Sequence, residues 1–164
     1  MSVIDELLEH NVFYAQRVAH PSLPTEPRRK LAVLTCMDSR LDLFDALGLE
    51  LGDAHLIRNA GGIATDDVIR SILLSQLLLG TREVMVIHHT RCGLETFEEE
   101  EMQNRIASKF ESRVPFRLGA FRDVELDVVS TIATLRSSPF IEASDIRGFV
   151  FDVDTAALTE VEVV

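Results

Sequence analysis

LAVLTCMDSR, residues 31–40, decides how the rest of the chain is read. Leu31, Ala32, Val33 and Leu34 make a short apolar run of the kind that forms a buried strand. The run passes at once into Cys36, Asp38 and Arg40, alternating with Met37 and Ser39. A thiol, a carboxylate and a guanidinium are poor packing chemistry, because a buried carboxylate is costly unless it is paired. Arg40, two residues on, is the nearest partner for Asp38. Ligand sites of open α/β sheets lie at the carboxyl ends of strands, which is where these residues fall. The segment therefore reads as a strand that delivers a site.

A second apolar run, Val84, Met85, Val86 and Ile87, leads into His88, His89, Thr90, Arg91, Cys92 and Gly93. His89 and Cys92 have the spacing His-x-x-Cys. With Cys36 they offer two thiolates and an imidazole, which zinc binds at about 2.0–2.3 Å. Three protein ligands leave a fourth position for water or for the Asp38 carboxylate. That is the pattern of a catalytic zinc site, since a structural site usually has four protein ligands.

At these residues the sequence resembles the β-class carbonic anhydrases, most closely the small, compact members. The resemblance rests on Cys36-x-Asp38-x-Arg40, on His89-x-x-Cys92, and on the Arg58-Asn59-Ala60-Gly61-Gly62 turn between them. It is close over residues 31–97 and looser over 148–154. It implies Cys36, His89 and Cys92 as ligands of a Zn2+ cofactor, whose bound hydroxide attacks carbon dioxide to give bicarbonate. It also implies that Asp38 orients that hydroxide, that Arg40 holds Asp38, and that Gly93, Ala60 and Gly61 border the substrate. The same scaffold hydrolyses carbonyl sulfide or carbon disulfide in some members. A third reading is a non-catalytic interaction module stabilised by zinc. Two positions depart from the usual pattern: His88 replaces a glycine and Arg91 an acid. Alternation along a strand turns His88 away from His89, which favours a structural role over proton shuttling. Arg91 either steers bicarbonate or pairs with a nearby acid. His55 reads as a packed residue. Members with a regulatory bicarbonate pocket carry a Trp where this chain has Val33. Arg58 matches a basic position of that pocket, but there is no Trp anywhere.

The 164 residues, 46% of them hydrophobic, suit a single domain with a full core. A formal net charge of −11 argues against a nucleic-acid partner, whose phosphates must be neutralised to bind. No run is long and apolar enough to span a bilayer, and the start MSVIDELLEH lacks a signal peptide's pattern, so a cytoplasmic protein is expected. Both cysteines fall in the candidate site, where metal binding is expected rather than a disulfide.

Taken in order, residues 1–27 read as an N-terminal arm. Ser2 caps a helix bearing Ile4, Leu7, Leu8 and Val12, and Pro21, Pro24 and Pro27 form a stiff linker. The arm must dock either on a partner subunit, as the resemblance implies, or on its own domain. Further on, a helical turn over 42–47 precedes a strand over 54–57 and the glycine turn at 58–62. Thr65 caps a helix over 68–79 that is apolar nearly all round, so one sheet cannot cover it and a homodimer or dimer of dimers is expected. Residues 95–101, rich in glutamate, read as a solvated loop or helix start. Ile106 and Phe110 mark a short helix, and residues 121–135 a long amphipathic one. A strand over 147–153 and an edge strand over 158–164 complete an α/β fold with a mainly parallel sheet flanked by helices.

Overall fold

The computed structural model describes residues 2–17, 22–143 and 145–163. Pro21 of the expected linker lies outside them. Strand β1 (Leu31–Cys36) is buried from Ala32 onward, as its apolar run requires. Parallel neighbours flank it: β2 (Ala54–Asn59) pairs Leu34 with Ile57 and Cys36 with Asn59, and β3 (Glu83–His89) pairs Leu34 with Val86. Next to β3 lies β4 (Asp145–Phe151), also parallel, with β5 (Leu158–Val161) antiparallel at the edge, giving the order β2-β1-β3-β4-β5. The expected mainly parallel sheet is present. β2 runs two residues beyond the expected Ile57, and β3 carries both histidines.

Side chains alternate across this sheet. Leu34, Val84 and Val86 point to one face, where they meet Val68 and Ile72 of α3 (Asp66–Leu79) and Val128, Ile132 and Leu135 of α5 (Val124–Ser137). Each such side chain, fully buried, contributes about 1.5–3 kcal/mol. Val33 and Ile87 point to the other face, with Leu41 and with Leu43 of the short helix α2 (Leu43–Leu47). Gly148 of β4 lets α5 lie flat on the sheet, since a Cβ there would stand 2.3 Å from Val128 Cγ1 and 2.5 Å from Ile132 Cδ1.

Helix ends follow their caps. Asp42 accepts from the amides of Phe44 and Asp45, Thr65 from that of Val68, and Asp123 from those of Glu125 and Leu126. The last cap starts α5 three residues later than the periodicity from Phe121 suggested. The glutamate-rich stretch is a correction of degree: α4 runs as one helix over Glu99–Phe110, where a loop or helix start followed by a short helix was expected. Three acids in its first turn suit the positive end of the helix dipole.

Helix α1 (Val3–Arg17) buries no residue and leaves Val3, Ile4, Leu7, Leu8, Val12 and Phe13 exposed. α3 buries one face and exposes Leu77 at 68% and Leu78 at 70%. Among the described residues, no helix is long and apolar enough to cross a membrane.

Candidate metal centre

Parallel pairing of β1 with β3 brings their carboxyl ends together, and with them Cys36, His89 and Cys92. One ligand atom from each lies within 4.8 Å of the others, and all three residues are buried. Both cysteines are free thiols. The His89 ring sets its own tautomer: Nδ1 donates to the Thr90 carbonyl at 3.0 Å, which leaves the Nε2 lone pair facing inward. That buried Nε2 has no hydrogen-bond partner. An orphaned acceptor between two thiols is poor core chemistry and suits a soft to borderline cation.

The charges within the cluster make its two thiols unequal. Cys92 hydrogen-bonds to Cys36 and lowers its pKa, helped by His89 and by the amides of Asp38 and Gly61. The same pairing, together with burial, raises that of Cys92. Burial depresses His89, but Cys36 and the Thr90 carbonyl outweigh it and leave the ring raised. Cys36 is thus the readier of the two thiols to ionise.

Asp38 stands beside this cluster, its Oδ2 3.7 Å from His89 Nε2. Arg40 grips it with both arms of the guanidinium, Nε to Oδ1 at 2.9 Å and Nη2 to Oδ2 at 2.7 Å, while the Arg40 amide reaches Oδ1 at 3.0 Å. This grip holds the Asp38 carboxyl well below the usual carboxylate range. Arg40 Nη2 also donates to the Arg91 carbonyl at 3.0 Å, tying the loop after β1 to the loop after β3. A cleft of about 540 Å³ opens above, lined by Cys36, Asp38, Arg40 and Cys92 with Ala60, Gly61, Gly93 and Leu94. All eight expected site residues thus border one cleft or its floor, since His89 lies just beneath.

Three supports went unread in the sequence. Arg58, noted there for its place in the turn motif and in a regulatory pocket, donates instead to the carbonyls of Cys36 (3.0 Å), Asp38 (2.6 Å) and Leu41 (3.2 Å). It clamps the loop that carries Asp38. Glu99 accepts from the amides of Leu118, Gly119 and Ala120 at 2.7, 3.0 and 3.2 Å. That loop packs against Ile63 and Leu94 behind the cleft: a Cβ on Gly119 would lie 2.8 Å from Ile63 Cδ1 and 3.6 Å from Leu94 Cδ1. The third is Asp127, 3.1 Å from the buried His88. For Glu99 and Asp127 the only advance signal was a polar residue on a helix, which gives no partner.

The remaining polar residues settle as structure. Arg91 pairs with Asp154, so the acid-partner reading of that position holds. His55 packs with Nδ1 2.7 Å from Ser75 Oγ. His88 is buried on the α5 face, turned away from His89.

Residues 31–158 match a protein family described as carbonic anhydrase. The chain is 43% identical over 162 residues to β-carbonic anhydrase 1 of Mycobacterium tuberculosis, which spans 98% of this chain and 99% of that protein. It is also 37% identical over 156 residues to carbon disulfide hydrolase of an Acidianus strain, with 79% of this chain and 76% of the relative covered. Among solved structures, the carbonic anhydrase of Streptococcus mutans superposes with a TM-score of 0.93 at 43% identity, covering 99% of each chain.

Proposed function

Because the chain belongs to the β-carbonic anhydrase family, we propose that it catalyses the reversible hydration of carbon dioxide to bicarbonate and a proton, with Zn2+ as its cofactor. One observation carries the reading: the orphaned His89 Nε2 and the two thiols converge beneath a cleft beside an acid held ionised by Arg40.

Cys36, His89 and Cys92 would hold the metal. When bound it supplies Lewis acidity, which lowers the pKa of a water molecule and so provides a nucleophile near neutral pH. The protein's own groups do the rest. Asp38 can only accept hydrogen bonds, so it takes one from the attacking water and fixes where the oxygen lone pair points. Arg40 keeps that carboxylate ionised and restrains it from closing on the ligand cluster. Met37, Ala60 and Leu94 give carbon dioxide an apolar wall, and Gly93 leaves the backbone open to a small substrate, with nothing within 4 Å of where a Cβ would stand. The proton leaves through solvent at the open cleft.

Hydrolysis of carbon disulfide is the second reading, favoured by the carbon disulfide hydrolase likeness. The carbon dioxide reading ranks first because its relatives match at higher identity over nearly the whole chain. Residues 1–164 form one domain in this reading, and the exposed apolar faces of α1 and α3 support a homodimer or a dimer of dimers. The reduced ligand thiols suit a cytoplasmic enzyme.

Elemental analysis together with a stopped-flow carbon dioxide assay tests the proposal. One zinc per chain is expected in the wild type and a large loss in Cys92→Ser. Stoichiometric zinc in Cys92→Ser would remove the ligand set. Hydrogen sulfide release from carbon disulfide, without carbon dioxide hydration, would move the enzyme to the second reading.

A further inference from the structure

His88 has no part in the chemistry above, yet it is among the most deeply buried polar side chains, with its ring 1% exposed. A titratable group in such a place needs partners on both nitrogens. Nε2 lies 3.1 Å from the Gly62 carbonyl. A carbonyl can only accept, so Nε2 carries the hydrogen and donates. Nδ1 lies 3.1 Å from Asp127 Oδ2, slightly out of line for a hydrogen bond, and neither atom has another partner. Nδ1 therefore faces the Asp127 carboxylate across a close polar contact. The Asp127 side chain is mostly buried, at 16% exposed. It reaches His88 because α5 lies flat on Gly148, the strand neighbour of Val86.

The other end of this chain of contacts is the glycine turn beside the ligand cluster. Gly62 adopts φ +71°, and a Cβ there would lie 2.8 Å from the Thr35 carbonyl carbon and 2.9 Å from the Cys36 nitrogen. The turn therefore lies flush on the backbone of Cys36. One residue back, Gly61 lines the cleft beside Cys36. Asn59 closes the same turn, exchanging two hydrogen bonds with Ile63 at 2.9 and 3.1 Å. Asn59 thus ties the turn to itself, and His88 ties it to the rest of the protein.

We infer that Asp127 and His88 are positioning residues: by holding the Gly62 carbonyl they seat the glycine turn on the Cys36 backbone and so fix how that ligand is presented. This rests on the zinc reading proposed above. It gives the departure from glycine at position 88 a role on the face of the sheet opposite His89. Contacts that orient a ligand adjust metal affinity without touching the metal.

Cobalt-substituted protein provides the test, because the near-ultraviolet thiolate-to-cobalt band reports the sulfur directly. His88→Asn keeps a polar group near the Nδ1 position, facing Asp127, but is too short to reach Gly62, whereas His88→Gln reaches about as far as Nε2. His88→Asn is expected to shift the band and to weaken cobalt affinity, read by chelator competition, by about 10–100-fold, with His88→Gln within about threefold of wild type. Should His88→Asn not fold, His88→Leu/Asp127→Leu removes the buried carboxylate along with the donor and is read in the same way. A wild-type band that a folded variant leaves unmoved, with unchanged affinity, overturns the inference alone. Absence of any thiolate band in wild-type protein overturns the metal reading and this inference with it.

Discussion

Substituting alanine at Gly62 isolates two costs that the structure keeps apart elsewhere. At φ +71° an L side chain is in the left-handed region, which costs about 1–2 kcal/mol. Its Cβ would also press on backbone at 2.8 Å and 2.9 Å, on Thr35 and Cys36, neither of which can swing aside as a side chain tip would. Overpacking of that kind adds about 1–3 kcal/mol. The sum is about 3 kcal/mol, which for a chain of this length lowers the melting temperature by about 6–12 °C. Gly48 is the control: it has φ +60° but nothing within 4 Å of its Cβ position. Gly48→Ala should carry only the conformational cost, about 1 kcal/mol or about 2–4 °C. Thermal melts of both variants and the wild type, at one protein concentration because assembly contributes to stability, make the comparison. If Gly62→Ala melts no lower than Gly48→Ala, the close approach of the turn to Cys36 is not a constraint and the reasoning fails.

Among the glutamates of α4, Glu99→Ala should destabilise by about 2 kcal/mol through three amides left without their acceptor. Glu100→Ala, which loses an exposed pair with Arg113, should stay within about 0.5 kcal/mol, and equal effects in urea titrations would count against the loop clamp. The pH dependence has two parts. Because Arg40 lowers the Asp38 pKa, stability from that pair is present above the unfolded aspartate value near 3.9 and lost only as pH falls through the lower folded value. Asp38 is therefore ionised across the assay range. In the proposed zinc site two thiolate ligands would also weaken the metal's pull on water relative to three imidazoles, so hydration of carbon dioxide should rise between about pH 7 and 9. Arg40→Ala, which frees Asp38 to move toward the ligands, should lose at least about tenfold in kcat/KM, by the scale of support-residue losses. A flat profile, or normal turnover in Arg40→Ala, would refute this account. Sedimentation at low micromolar concentration should show no folded monomer, given the apolar faces left open on α1 and α3. A stable active monomer would show that those faces need no partner.

The strands and most helix limits were legible because local chemistry sets them: apolar runs at 31–34 and 84–87, and the cap at Thr65. The ligand cluster was legible for the same reason, since each half sits at the end of a recognisable strand. Residues that act through distant backbone were not. Glu99 meets amides 19–21 positions away, and nothing in a run of like charges tells which member will turn inward. Arg58 binds carbonyls 17–22 positions back, a geometry that exists only once β2 has paired with β1. His88 could be assigned a face by alternation, but its partner depends on how closely α5 approaches Gly148.

The placement of the cluster on neighbouring strands also bears on how the chain reaches its native state. β1 and β3 are joined through a long excursion containing β2 and α3, so that Thr35 Oγ1 and the Ile87 carbonyl, 2.7 Å apart, are separated by 52 positions in sequence. Parallel pairings of this range close slowly, because the loop's entropy must be lost before any contact is gained. Cys36 and His89 therefore meet only when the central sheet is already in register. A cation that bridges them acts as a clasp on that excursion, and by chain-entropy reasoning a cross-link over a loop of that length is worth about 4 kcal/mol. The three side chains proposed to hold the metal would then also lock the crossover, making cofactor loading and completion of the sheet one event.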